Sequence, residues 1–317
     1  NNVHREHKVN YDQLQYIFTK HTMFFTHHKS GMKIGGQVVS TKYEEGHFFV
    51  TYRFIACNGK EFVINYRSIS VDRFFGTVPI ADLSLVPMDI SLNDFHDLVK
   101  RGQLFEKYAM GVHHMQYAGI IYDCAHGYYY KHRMKGRVII DHATFEKLNP
   151  NYPVDFKKAL LLSSQEKTKA LDSLNNDPLI FAITSPSVFG FSFDLKEWGE
   201  FDLTLLQPIV YRKDAMQQLV LPQKTKLLIQ GVVEQSRNPN RMDDVIAGKG
   251  SAYIILLHGG PGIGKTLSAE ATAETLERPF YSVSIGELGV DPLTLEKNLR
   301  EVLELSSTWN CVLLLDE

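Results

Sequence analysis

Gly259, Gly264, Lys265 and Thr266 stand in the spacing G-x-x-x-x-G-K-T, shortly after the apolar run 253–257 (YIILL). Residues of these types at this spacing bind phosphate. Glycines let a loop wrap closely around phosphate oxygens, so that successive backbone N–H groups and the N-terminus of the next helix point at the anion. In such a loop the lysine ammonium reaches the β- and γ-phosphates, and the threonine hydroxyl serves Mg²⁺. Lys265 and Thr266 are the candidates for those roles, with Gly259, Gly260, Pro261, Gly262, Ile263 and Gly264 forming the cradle. The pattern requires a strand before it and a helix after it, and the flanking text supplies both. These residues predict a nucleotide site.

A second pair of candidates closes the sequence. Residues 311–317 read CVLLLDE, a buried-strand pattern ending in Asp316 and Glu317. Behind a phosphate loop, an aspartate at the end of such a strand holds Mg²⁺, usually through water. A glutamate directly after it can polarise the water that attacks the γ-phosphate, as general base. Taken alone, two carboxylates merely end a strand at a surface; the upstream loop favours the catalytic reading.

The elements that must position these groups are legible between them. Residues 266–276 (TLSAEATAETL) are rich in strong helix formers. Residues 279–285 (PFYSVSI) form a short strand candidate. Asp291 and Pro292 offer an N-cap and first-turn pair for a helix to about Thr308, with Leu295, Leu299, Val302 and Leu303 on one face. Strands alternating with helices predict a parallel α/β sheet with flanking helices, which binds ligands beyond the carboxyl ends of its strands. Both motifs fall there.

With GGPGIGKT, LSAEATAE, SIGELG (284–289), DPLTLEKNL and CVLLLDE in view, the sequence resembles the AAA+ ATPases. It looks closest to a mainly fungal group with a large uncharacterised N-terminal domain before one ATPase module. RGQLFEKY (101–108), KGRVIID (135–141), SPSVFGFSFDLKEWGEF (185–201) and LVLPQKTKLLI (219–229) carry that closer likeness. Gly260 departs from the typical loop, which has proline there. The resemblance implies ATP and Mg²⁺ as cofactors, Lys265 and Glu317 as catalytic groups, and Thr266 and Asp316 as metal-holding groups. It makes Asp244 and Ile246, in the segment before the first strand, candidates for adenine contact. It implies a homo-oligomeric ring, a hexamer, that remodels a protein client of unknown identity, with the N-terminal region selecting the client. In that family the sheet continues past the strand ending in Asp-Glu, with a sensor strand, an arginine finger and a helical lid. The sequence stops at Glu317, between the Walker B motif and those parts, so the expectation is a partial product, poorly soluble or inert by itself.

Two other functions compete. A nucleotide-gated scaffold acting through its N-terminal domain could dispense with Glu317, so the intact Lys265, Asp316 and Glu317 argue against it. Nucleotide kinases share G-x-P-G-x-G-K-T but carry substrate-binding arginines soon after the loop; between Thr266 and Asp316 stand only Arg278 and Arg300. No guanine-reading N-K-x-D motif is present.

Composition sets the frame. The 317 residues are 44% hydrophobic and 22% charged, the balance of a globular chain longer than one ordinary core. A formal net charge of −2 gives no electrostatic ground for nucleic acid or an anionic membrane. No apolar run reaches the roughly 18–20 residues needed to span a bilayer. Three scattered cysteines point to a reducing compartment, cytoplasm or nucleus. Residues 1–150 read as a β-rich α+β domain, 151–212 as a connector and strands leading to the ATPase, and 213–317 as the ATPase portion. In the first of these, 48–57 and 60–66 flank Asn58-Gly59, a strong hairpin signal, and 32–41 forms a preceding strand. A capping-box pattern at 91–94 opens a helix to about Met110 with Gly111 as its stop. Strands follow at 115–122 and 137–140, and 214–235, broken by Pro222, is helical. Thirteen histidines, notably His113, His114, His126 and His132, match no zinc spacing. The run 131–137 (KHRMKGR) beside Tyr128, Tyr129 and Tyr130 has the residue types of a nucleic-acid surface, but a solvated strand and turn fits the chain's charge better.

Overall fold

Alternation of apolar and polar side chains builds the N-terminal part. The computed structural model describes residues 8–27, 31–125, 128–150, 152, 160–161, 177–237 and 254–316. Two compact units divide the chain, Asn1–Pro208 and Ile209–Glu317.

In the first unit the strands are β1 (Lys8–Val9), β2 (Met23–His27), β3 (Lys33–Glu44), β4 (His47–Cys57), β5 (Phe62–Asp72), β6 (Val78–Pro79), β7 (Leu85–Pro87), β8 (His113–Ala125), β9 (Tyr128–Ile140), β10 (Leu160–Leu161), β11 (Ser187–Ser192), β12 (Glu197–Asp202) and β13 (Leu206–Gln207). One antiparallel sheet has the order β10-β5-β4-β3-β2-β7, and the other β12-β11-β9-β8-β13. A further pairing of β12 with β8 curls the second sheet back on itself. β1 and β6 pair separately.

The turns follow from residue type. Glu45 (φ 48°) and Gly46 (φ 81°) both take left-handed backbone between the paired Glu44 and His47, the two-residue turn whose twist suits a hairpin. At the expected Asn58-Gly59 hairpin, Cys57 pairs with Phe62 and four residues make the loop. The Asn58 side chain accepts from the N–H groups of Lys60 (3.0 Å) and Glu61 (2.9 Å), fixing the bend.

Period-2 burial gives the first sheet two working faces. Phe48, Val50, Tyr52, Phe54 and Ala56 of β4 pack with Leu14, Phe18 and Ile80, whereas Ile55 and Cys57 join a second core. That second core gathers Leu98 and Phe105 from the helix Leu92–Tyr108 with Met115, Tyr117, Ile121, Val138, Ile140 and Phe201 of the second sheet. The helix starts as expected: Ser91 accepts from Asp94 N–H (3.4 Å). The Asp94 carboxylate pairs with Lys33.

The segment after the helix Pro178–Ala182 locks the two sheets together. Ile55 N–H donates to Ile183 O (2.8 Å), and Ser185 N–H to Ile55 O (2.7 Å). Buried Arg101 donates to the carbonyls of Lys33 and Thr184, the latter at 3.3 Å. A Cβ on Gly102 would lie 2.3 Å from Phe181 O, so the helix approaches this segment as only glycine allows.

Three readings are extended here. The strands expected at 115–122 and 137–140 are a continuous hairpin of two 13-residue strands, and the basic run 131–137 lies within β9. The segment 151–212, expected as a connector and strands leading to the ATPase, contributes β11 to β13 to the second sheet, because β11 is buried along its whole length and needs a core on each side. Residues 151, 153–159 and 162–176 of that segment lie outside the described residues.

The second unit holds the helices Ala215–Gln218 and Gln223–Arg237, broken at Pro222 as expected, and the helix Lys265–Leu276. Met216, Leu219, Ile229, Val233 and Ala271 form their shared core. β14 (Phe280–Ser284) and β15 (Val312–Asp316) pair in parallel, joined by the helix Pro292–Thr308 with Asp291 as its N-cap. Of the strand expected at 253–257, the described residues 254–257 form none. Residues 254–258 are irregular, with Ile254 95% and Leu256 90% exposed. Among the described residues no strand flanks them, so their backbone groups have no ladder to join.

Candidate functional site

The glycine loop bends as its residue types dictate. Gly259 (φ 153°), Gly262 (φ 77°) and Gly264 (φ 92°) take backbone conformations that other residues rarely adopt. A Cβ on Gly259 would come within 2.0 Å of Ile263 Cδ1, a movable side-chain end, so it is the positive φ that reserves this position for glycine. Gly260 and Gly262 face open space. Gly264 begins the helix Lys265–Leu276 without a side-chain cap, and first-turn N–H groups left in this way can serve an anion.

Lys265 arches back over the loop. Its Nζ donates to Gly259 O (2.8 Å) and Gly260 O (3.1 Å). Thr266, next on the helix, donates through Oγ1 to Asp316 Oδ2 at 3.4 Å. Asp316 ends β15 opposite Ser284, the last residue of β14. The structure therefore brings Gly259, Gly260, Lys265, Thr266 and Asp316 together, with hydroxyl and carboxylate oxygens side by side. Those are hard donors suited to Mg²⁺. The loop's Pro261 and Ile263 lie on its exposed side. Glu317, Asp244 and Ile246 lie outside the described residues.

One positioning group escaped the sequence reading. Ser284 and Glu287 form a reciprocal capping box, with Ser284 N–H donating to Glu287 Oε2 (3.0 Å). It turns the chain sharply at the carboxyl end of β14, beside Asp316. The S-x-x-E spacing at 284–287 is its signal.

His113 and His114 serve packing. His113 Nε2 lies 2.7 Å from Met110 O, and His114 stands edge-on to Phe193. Burial pushes the His114 pKa down to about 3, aided by the Arg137 charge. Among the described residues no cluster of three or more histidine, cysteine or carboxylate side chains could hold a metal ion. None of the helices among them is long and apolar enough to cross a membrane.

Comparison with known proteins divides the chain. Residues 1–91 match a family described only as a domain of unknown function (DUF7025). Residues 255–317 match the ATPase family associated with various cellular activities (AAA). A Lon protease of Mycolicibacterium smegmatis is 42% identical over 48 residues, 15% of this chain and 6% of the relative's length. No solved structure matches the chain. The loop, the helix behind it and the strand ending in Asp316 fall within the matched ATPase segment, and these likenesses support an AAA+ ATPase assignment for the C-terminal part of the chain.

Proposed function

We propose that the chain binds ATP with Mg²⁺ at the 259–266 loop and hydrolyses it, as an AAA+ motor that remodels a protein client. The approach of Thr266 to Asp316 carries this reading, because it unites the phosphate loop with a carboxylate at a strand's end. Lys265 is already held by two loop carbonyls, so its ammonium sits where it can exchange them for phosphate oxygens. The loop's N–H groups and the helix N-terminus orient the phosphates. Thr266 and Asp316 would hold the metal, which when bound neutralises charge on the phosphate oxygens. Glu317 would take the proton of the attacking water. Asp244 and Ile246 would contact the adenine. Activity would depend on a homo-oligomeric ring, a hexamer, with the N-terminal unit choosing the client.

ATP turnover per subunit, measured against concentration of the protein as expressed from its gene, tests the proposal. A rate that climbs with concentration and falls roughly 10²–10⁴-fold in Glu317→Gln, with ATP binding kept, supports it. Binding of ATP without turnover at any concentration overturns hydrolysis and leaves a nucleotide-gated scaffold.

A further inference from the structure

β9 is paired unequally on its two sides. β8 accompanies it over its whole length, from Tyr128 to Ile140, whereas β11 reaches only Val138, Ile139 and Ile140. Beyond that contact, Phe193 N–H donates to Arg137 O (3.3 Å), and no strand among the described residues pairs with 128–136 on this side.

The direction of the backbone groups along this open edge follows from two bonds. Arg137 O and Asp141 N–H both point toward β11, the latter donating to Phe189 O (3.1 Å). Lateral direction alternates from residue to residue in a strand, and the β8–β9 register runs without a shift. Lys131, Arg133 and Lys135 therefore turn their N–H and C=O groups to the open side, while residues 132, 134 and 136 bond to β8.

The same three residues carry the charge. Period-2 alternation sends their side chains to one face, opposite to that of buried Met134 and Val138. All three are exposed, and none forms an ion pair among the described residues. Lys131 has an aromatic neighbour, its Nζ lying 5.7 Å from the Tyr122 ring centroid. Alternate residues of a strand are about 6.8 Å apart, so three cations repeat at the period of an extended peptide's own side chains. One lysine would suffice to discourage edge-to-edge pairing. Three in register with three sets of open backbone groups form a template.

We infer that the open edge of β9 accepts an extended acidic segment of a partner protein as an added antiparallel strand, with Asp or Glu at alternate positions facing Lys131, Arg133 and Lys135. Main-chain bonding supplies affinity and the cations select the sequence. A nucleic acid fits less well. Its phosphates would meet the cations, but its backbone offers no N–H groups to the open carbonyls. Each neighbour in this sheet is antiparallel, which sets the direction of addition.

The test uses the full chain and a fluorescent peptide, Thr-Glu-Val-Glu-Val-Glu-Thr, followed by anisotropy at low and physiological salt. Binding is expected to weaken with salt and to fall roughly tenfold or more in the combined variant Lys131→Glu, Arg133→Glu, Lys135→Glu, since each exposed ion pair contributes a factor of about 1.4–5. The same peptide N-methylated at its three Glu residues keeps its charge but cannot donate to the strand, and is expected to bind at least tenfold more weakly. On the wild-type chain, bound peptide is expected to slow amide exchange at 131, 133 and 135 and to leave 132 and 134 unchanged. That measurement decides the matter even if the variant fails to fold. No binding, equal binding of the N-methylated peptide, an unaffected triple variant, or tighter binding of a single-stranded oligonucleotide of equal charge would each overturn the inference.

Discussion

Thr266 Oγ1 lies 3.4 Å from Asp316 Oδ2 across a sequence separation of 50 residues. The parallel pairing of β14 with β15 places Asp316 at the end of the sheet where the loop-bearing helix begins. Asp316→Asn keeps the oxygen that accepts from Thr266 and removes the charge. It is expected to raise the Mg²⁺ concentration needed for half-maximal turnover roughly 10–100-fold, the usual effect of losing a group that orients a metal's ligands. An unchanged Mg²⁺ titration would separate Asp316 from the metal.

Lys265 holds two loop carbonyls, so its removal acts twice. Lys265→Ala takes away a cation for the phosphates and releases Gly259 O and Gly260 O. Hydrogen bonds to charged groups contribute about 1.5–3 kcal/mol. The Kd for ATP, measured by calorimetry, is therefore expected to rise by roughly ten- to a hundredfold or more.

Two glycines make opposite cases. Gly102→Ala would put a methyl 2.3 Å from the Phe181 carbonyl oxygen, which is backbone and cannot swing aside. A loss of about 1–3 kcal/mol in unfolding free energy is expected. Gly260→Ala meets nothing within 4 Å and is expected to leave nucleotide binding within a factor of about two. Denaturant unfolding of the first and ATP titration of the second check the pair.

Acid is expected to weaken the N-terminal unit near pH 6, well above the carboxylate range. Burial lowers the His142 pKa to about 4, against a smaller opposing effect of Asp141, and lowers that of His114 to about 3. The unfolded chain takes up these protons near pH 6.5 and the folded chain does not, so stability falls as pH drops below 6.5. Between pH 7 and pH 5 each histidine accounts for about 2 kcal/mol at most. Asp94, whose pKa is lowered chiefly by its bond to Lys33, adds a separate loss only below its ordinary carboxylate range. Urea midpoints at pH 7.5, 6 and 5 read the first window; a flat series would show that the rings are hydrated.

The candidate site is legible because its proposed chemistry is local. Gly259 to Thr266 lie within one loop, and spacing alone names them as candidates. The Asn58-Gly59 turn, the Ser91 cap and the Asp291-Pro292 helix start were legible for the same reason, each being decided by neighbours a few residues away. What spacing could not show is pairing at long range. β11 reads like a strand bound for any sheet until Gly190 is seen opposite Ile140. The run 254–258 has the composition of a buried strand, yet composition does not supply a neighbour. Likewise Lys131, Arg133 and Lys135 read as part of a solvated strand and turn until their register with β8 shows which way the backbone faces.

The bond between Ile55 and the 183–185 segment bears on how the chain is made. The family match at 1–91 ends inside this architecture: Phe25, Ile55 and Cys57 share a core with residues as distant as Phe201 and Leu206. During synthesis the first sheet leaves the ribosome with one apolar face that only the helix Leu92–Tyr108 can begin to cover, and its cover stays incomplete until roughly a further hundred residues have followed, several seconds at ordinary elongation rates. Over that interval the nascent chain is a client for holding chaperones, and a gene fragment cut at residue 91 would keep that face exposed permanently.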